Sequence, residues 1–275
     1  MNTGIRDMAG KIAVVTGGAA GIGFAIAAEL MDRGVIVVIA DVEEEALTAA
    51  AAALGATGVV ADVTKVEDLV HLADEVIRLH GRLDIAVNNA GVARIAPFDE
   101  LTIDDFRWVL DVNLWGVVLG MKVFLPLIES TSQCGYIVNT ASIAGMRSAP
   151  KLAAYAVSKF GVVALTETVE QELSARASQV GLGVLVPAMV QSNIAASERN
   201  RPGVRRVPVA DGSNGAGAQV GAMEAHEVGV IVADAIERGD LYIVTHPESL
   251  DSIKARHRRI EDAFEQAVLR SAPTL

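Results

Sequence analysis

The chain has 275 residues, a formal net charge of −11 and a hydrophobic share of 51%. That size and apolarity exclude global disorder and predict one domain over residues 1–275 with a single sizeable core. The acidic balance excludes the usual nucleic-acid binder, whose electrostatic footprint is basic. The short basic clusters at Arg201, Arg205 and Arg206, and at Arg258 and Arg259, read as a solvated loop and a solvated helix face. A lone cysteine, Cys134, cannot form an intramolecular disulfide and fits a reducing, cytoplasmic setting. Met1 to Gly10 has no apolar core of signal-peptide length. The most apolar stretch, Leu114 to Ile128, contains Lys122 and Pro126 and is too short to span a bilayer, so no membrane role is expected.

Strand and helix patterns alternate along the chain. Lys11–Thr16 is a continuous apolar run bounded by glycines, which predicts a buried first strand. Gly21 to Arg33 carries Ile22, Ile26 and Leu30 on one helical face and stops at Gly34. Val35–Ala40 is a β-branched strand ending at Asp41, and Glu43 to Leu54 is an acidic-started helix stopped by Gly55. A short strand at Gly58 to Ala61 leads to Asp62, a helix at Lys65 to His80 and a strand at Asp84–Val87. Ile103 to Ile128 is predicted as one long helix, followed by a strand at Tyr136–Thr140, a helix at Leu152 to Arg176 and a strand at Gly183–Val186. A last unit joins a helix at Glu224–Arg238 to a strand at Leu241–Thr245, and a charged helix runs from about Pro247 to Arg270. Such alternation implies an α/β fold: a Rossmann-type, doubly wound parallel sheet of about seven strands with helices on both faces.

One stretch breaks the rhythm. Arg201 to Val220 is rich in Gly, Pro and small polar residues and has no periodicity. Long loops inside compact domains are commonly functional, so Asn193 to Met223 is expected to be a lid over a substrate. The helices at 103–128 and 152–176 carry Val117, Val118, Met121, Phe124, Val162, Leu165, Val169 and Leu173, more apolar residues than one sheet-facing stripe needs. Paired across a two-fold axis, they would bury that surplus against another copy.

TGGAAGIG at Thr16–Gly23 follows the first strand and opens the first helix. Glycines there let backbone approach a pyrophosphate, and the helix N-terminus presents free N–H groups. The string alone is weak, but dinucleotides bind at this junction in such folds. Asp41, at the end of the second strand, can accept adenosine ribose hydroxyls and repel a 2′-phosphate, which favours NAD over NADP. No Lys or Arg lies in the turn, and Ala20 fills one place where such a residue would sit. Asp41 can equally cap the helix that follows.

Four further strings converge: NNAG at Asn88–Gly91, Asn113 in the long helix, Ser142 after the fifth strand, and YAVSK at Tyr155–Lys159. With the glycine turn and Asp62 they resemble the short-chain dehydrogenase/reductase family, from Lys11 to about Thr245. A Y-x-x-x-K string is loose by itself; its order and spacing with the other motifs are specific. The chemistry accounts for the residue types. Alcohol oxidation needs a base for the hydroxyl proton while hydride leaves to a nicotinamide. Free tyrosine, with a pKa of about 10, is a poor base at neutral pH. Lys159, one helical turn after Tyr155, would favour the phenolate by its charge, and Ser142 would orient the substrate oxygen. The resemblance implies that Asn113 holds a water in a proton relay and that Lys159 holds the nicotinamide ribose.

The same resemblance implies a cofactor set. Gly17, Ala20, Gly21, Ile22 and Gly23 would hold the pyrophosphate, and Asp41 and Val42 the ribose. Asp62 and Val63 would flank the adenine, and Asn89, Ala90 and Gly91 would pack on the adenosine side. Pro187, Val190 and Ser192 follow the sixth strand, where PAMVQS stands in place of the family's P-G-x-x-x-T. That stretch, with LYIVTHPE later on, is similar to the branch that oxidises benzylic alcohols of lignin-derived aryl ethers. It implies a bulky, aromatic or alicyclic secondary alcohol or its ketone, with Arg94, Met146, Met189 and Ile194 beside Ser142 in the pocket. A homotetramer is implied as well, and no metal. The rival readings are a 3-oxoacyl-type reductase, which Asp41 disfavours; a dehydratase or epimerase, for which NNAG is the wrong form; and a non-catalytic NAD-binding or sensing protein, which typically loses the Tyr or Lys.

Overall fold

The computed structural model describes residues 4–203 and 222–271. Seven strands form one sheet: β1 (Ile12–Thr16), β2 (Ile36–Asp41), β3 (Thr57–Val60), β4 (Ile85–Asn88), β5 (Gly135–Thr140), β6 (Val180–Val186) and β7 (Tyr242–Val244). All pairings are parallel, in the order β3-β2-β1-β4-β5-β6-β7. The strand order reverses between β1 and β4, so a crevice opens beyond their carboxyl ends. β1, β4, β5 and β6 are buried along their whole length, which is why they read as unbroken apolar runs.

Two cores flank the sheet. On one face α1 (Gly21–Asp32), α2 (Glu44–Leu54) and α7 (Ala225–Arg238) contribute Ile26, Leu30, Leu47, Val228 and Val232. On the other, α3 (Val66–His80), α5 (Gly116–Thr131) and α6 (Ala153–Ala175) contribute Leu69, Leu72, Val117, Phe124 and Val162. Val117, Met121, Phe124, Val162 and Leu173 are thus buried within the chain itself. They are not the surplus that the periodicity suggested; Val118, Leu165 and Val169 remain half-buried. α8 (Leu250–Ser271) is exposed along most of its length, Phe264 and Leu269 included, and Arg256 lies over the Phe160 ring of α6.

The expected helix at 103–128 is one continuous helical path, Ile103–Thr131, with a π turn inside it. A capping box, Thr102 with Asp105, starts α4 (Ile103–Leu110). A π turn at Asp111–Trp115 then joins it to α5. No Pro or Gly inside the turn announces it. Its cause is tertiary: Asn113, fully buried in the turn, bonds both backbone groups of Val92. Gly116 lies so close to Val63 that a Cβ there would come within 2.8 Å of its side chain. π turns of this kind cluster at functional sites. Ile103–Thr131 is long and apolar enough to cross a bilayer by composition, yet Val117, Met121, Phe124 and Ile128 pack it onto the sheet.

β6 begins at Val180, three residues before the predicted Gly183. Its glycines hide it from propensity; a Cβ on Gly183 would come within 2.8 Å of the Tyr136 hydroxyl. Most of the expected lid, residues 204–221, lies outside the described residues. Its first part is a 3-10 helix, Asn193–Asn200.

Candidate active site

The turn from β1 to α1 is built around close backbone approach. Gly17 has φ +65°, and a Cβ there would meet the Ala90 Cα at 2.8 Å. A Cβ on Gly23 would lie 2.1 Å from the Gly17 carbonyl, so Gly23 shapes the turn from beneath. Asn89 ties this arrangement together by donating from Nδ2 to the carbonyls of Thr16 (3.0 Å) and Gly17 (3.3 Å). The Thr16 hydroxyl accepts from the backbone N–H groups of Asn89 and Ala90. No side chain caps α1, whose N-terminal residues Gly21 and Ile22 line a cleft of about 540 Å³. An uncapped helix start behind a glycine turn fits an anionic diphosphate.

The cleft extends from that turn in both directions. Toward the carboxyl ends of β2 and β3 it is lined by Ala20, Asp41, Val42, Asp62, Val63 and Asn89. The Asp41 carboxylate accepts from the Ala19 N–H (3.2 Å) and the Glu43 N–H (3.1 Å). It does not cap α2, whose N-cap is Glu43. Burial pushes the Asp41 pKa up, against those two N–H groups. For Asp62, burial acts in the same direction but is outweighed by the Thr64 and Lys65 contacts, so its pKa falls.

The 3-10 segment crosses the opposite wall and is clasped at both rims. Arg199 bonds Glu43 through Nε and Nη2, at 3.0 and 2.7 Å, and Asn200 donates to the same carboxylate at 2.9 Å. Arg201 pairs with the buried Asp105 and lies over the Trp108 ring. The Ser197 hydroxyl accepts from the Ala93 N–H at 2.9 Å.

At the other end of the cleft, α6 carries Tyr155 half-buried and Lys159 buried, one turn apart. Lys159 Nζ donates to the Thr140 carbonyl at 2.7 Å and sits 5.7 Å from the centre of the Tyr155 ring. Desolvation lowers the Lys159 pKa to about 7. Burial raises the Tyr155 pKa, while a hydrogen bond with Ser142 lowers it. The phenolate-favouring charge expected of Lys159 is therefore weakened in the ligand-free cleft. Ser142 has one proton, which faces the Pro187 carbonyl (3.3 Å) or the phenol; its oxygen also accepts from the Ala144 N–H. Asn113 accepts from Val92 N–H and donates to Val92 O and the Ser158 hydroxyl. Both its amide protons are thereby used. Gly91 fits between Asn113 and Lys159, each within 3.7 Å of where a Cβ would stand.

Of the remaining expected residues, Ala90, Gly91, Pro187, Ser192 and Ile194 line the cleft. Val190 instead bridges Met223. Arg94 is turned into ion pairs with Glu198 (3.0 Å) and Asp105 (3.7 Å). Met189 is 54% exposed, and Met146 packs against the core below the site. Sequence reasoning did not single out Thr16, Thr140, Glu43, Arg199 or Ser197. Their roles depend on partners distant in the chain, although Thr16 opens the glycine-turn string and Glu43 and Thr140 stand close to Asp41 and Ser142.

The family model described as short chain dehydrogenase matches residues 11–203. A C alpha-dehydrogenase of Sphingobium sp. (strain NBRC 103272 / SYK-6) is 30% identical over 270 residues, covering 94% of this chain and 88% of that protein. A short-chain dehydrogenase/reductase from Burkholderia phymatum, solved in complex with NAD, superposes with a TM-score of 0.87 at 34% identity, over 98% of this chain and 99% of that one. The apo form of LigD from Sphingobium sp. strain SYK-6 gives a TM-score of 0.77 at 27% identity, over 98% and 100%. With the glycine turn, Asn89–Gly91, Tyr155 and Lys159 along one cleft and Ser142 buried against Tyr155, the chain belongs to the short-chain dehydrogenase/reductase family of oxidoreductases.

Proposed function

We propose that this oxidoreductase uses NAD to oxidise a bulky, apolar secondary alcohol, aromatic or alicyclic, and reduces the matching ketone in reverse. The observation that carries the reading is the joint placement of Tyr155, Ser142 and Lys159 at the end of a cleft whose other end is rimmed by Asp41. The relative named C alpha-dehydrogenase and the NAD-bound neighbour support it. Bound NAD would accept the hydride at its nicotinamide.

Tyr155 takes the hydroxyl proton as the carbon–hydrogen bond breaks, and Ser142 holds the substrate oxygen. Before substrate binds, turning the Ser142 proton from Pro187 to the phenol favours the phenolate; with substrate in place the same single proton turns to the substrate oxygen. Lys159, with a pKa near neutrality, can carry onward the proton that Tyr155 takes from the alcohol. The Asn113 amide is occupied by Val92 and Ser158, so a relay water would rest on a backbone carbonyl of the turn and not on that amide. Lys159 and Tyr155 would hold the nicotinamide ribose; the Gly17–Gly23 turn would hold the diphosphate.

The Asp41 carboxylate at the ribose rim would repel a 2′-phosphate, which supports NAD over NADP. The test is a panel of secondary alcohols with NAD and NADP, read at the NADH absorbance. Equal use of both cofactors would remove the NAD assignment, and no turnover with any secondary alcohol would remove the substrate class. We propose a homotetramer as well. Its support is the half-buried apolar residues of α5 and α6 together with Trp115 (55%) and Val157 (53%), which stand exposed beside them. Light scattering at micromolar concentration tests it, and a monomer would refute it.

A further inference from the structure

His246 lies just beyond the carboxyl end of β7, buried at 8% exposure, and the chemistry above does not use it. Its Nδ1 faces two donors, the Ala188 backbone N–H at 3.3 Å and the Thr245 hydroxyl at 2.6 Å. Its Nε2 faces the Met189 carbonyl at 3.1 Å, a group that can only accept. These partners assign the neutral tautomer with the proton on Nε2. The imidazole thus reads two consecutive residues of one loop, donating to one and accepting from the other.

That loop, Pro187–Ser192, leaves β6 and reaches the cleft at both of its ends. Pro187 and Ser192 line the cleft with Tyr155 and Lys159. The loop is pinned at its start by the Pro187 carbonyl, which accepts from the Ile143 N–H at 2.8 Å. Along its middle, Met223 donates to Met189 O (2.9 Å) and accepts from Gln191 N–H (3.0 Å). His246 supplies the link between these two anchors. An apolar side chain would fill the same volume without satisfying the part-buried Ala188 N–H, and a backbone donor kept from both a partner and water is costly.

We infer that His246 is a positioning residue for the reaction, holding the Pro187–Ser192 loop so that the nicotinamide end of the dinucleotide and the carbinol carbon meet beside Tyr155. The inference rests on the dinucleotide reading above. His246 bonds the Ala188–Met189 part of the loop, before Ser192 reaches the glycine turn at Gly21, so its effect is read at the end of the cleft beside Tyr155 and separates from general stability. The experiment is calorimetric titration of the full-length protein and its His246→Phe variant with NAD and, separately, with ADP-ribose, which lacks the nicotinamide. NAD affinity falls about tenfold, the loss of two hydrogen bonds, while ADP-ribose affinity stays within about twofold. His246→Asn, which retains an acceptor for Ala188 but not the donor to Met189, recovers part of the NAD affinity; it also serves as the comparison should His246→Phe not fold. The kcat of both variants falls with a larger primary deuterium isotope effect, since hydride transfer becomes more rate-limiting. Parallel weakening of NAD and ADP-ribose, or no change in either, would overturn the inference. An unmodified protein that binds neither would overturn the dinucleotide reading and this inference with it.

Discussion

Lys159 offers a sharp test of the site's electrostatics because its burial has a stability cost that depends on pH. In the folded, ligand-free chain its pKa is about 7, whereas in the unfolded chain it is about 10.4. Between these values the unfolded state binds the extra proton, so stability rises with pH at up to about 1.36 kcal/mol per unit. Between pH 7 and 9 the gain is about 2 kcal/mol, after allowing for half-protonation at pH 7. Tyr155 does not confuse the window: its folded pKa is raised, so the stability it contributes is lost only above about pH 10. Lys159→Met removes the titration while nearly filling the volume. It also strips the Thr140 carbonyl of its donor, a cost of about 1–3 kcal/mol that does not vary with pH. Urea denaturation of both proteins without ligand, at pH 7 and pH 9, isolates the effect. The stability of Lys159→Met relative to the unmodified protein should fall by about 2 kcal/mol over that interval. A difference that is independent of pH, or that moves the other way, would refute a desolvated Lys159.

Four other outcomes follow from the same geometry. Tyr155→Phe should lower kcat by about a hundredfold or more while lowering NAD affinity by no more than about tenfold, because one ribose contact is lost and that of Lys159 remains; single-turnover kinetics with a reactive secondary alcohol decides it. Asp41→Ala, alone or with Ala20→Arg, should shift the ratio of kcat/KM toward NADP, and an unchanged ratio would show that Asp41 does not read the ribose. Gly23→Ala should abolish dinucleotide binding or destabilise the fold, since its methyl would meet the Gly17 carbonyl; a folded variant with full NAD affinity by calorimetry would contradict the cradle. Arg199→Ala should speed NAD dissociation about two- to fivefold in stopped-flow fluorescence, the scale of a part-exposed ion pair. In amide exchange, the same change should raise the rates across Asn193–Asn200.

The sequence by itself determined the architecture and most of the dinucleotide cleft. Unbroken apolar strands, glycines at strand–helix junctions and acidic strand ends are local signals. The alternation they form has few packed solutions, so seven parallel strands and the β1–α1 turn were legible from composition and period alone. Tyr155 and Lys159 were legible for the same reason, as both lie within one helical turn. Tertiary structure decided whatever rests on partners far apart in the chain. The π turn at Asp111–Trp115 exists because Asn113 must reach Val92, and nothing inside the turn's own sequence marks it. Arg94 read as a pocket residue by position, but Glu198 and Asp105 draw it away. Asp41 serves the Ala19 and Glu43 N–H groups instead of capping α2, because the glycine turn folds back onto β2. Lys159 read as a full positive charge beside Tyr155, yet desolvation, which no sequence pattern records, brings it to the edge of neutrality. His246 sat unremarked in LYIVTHPE until the pairing of β6 with β7 carried it to Ala188 and Met189. Periodicity reports which face of an element is buried; which polar group meets it there depends on how separate elements pack.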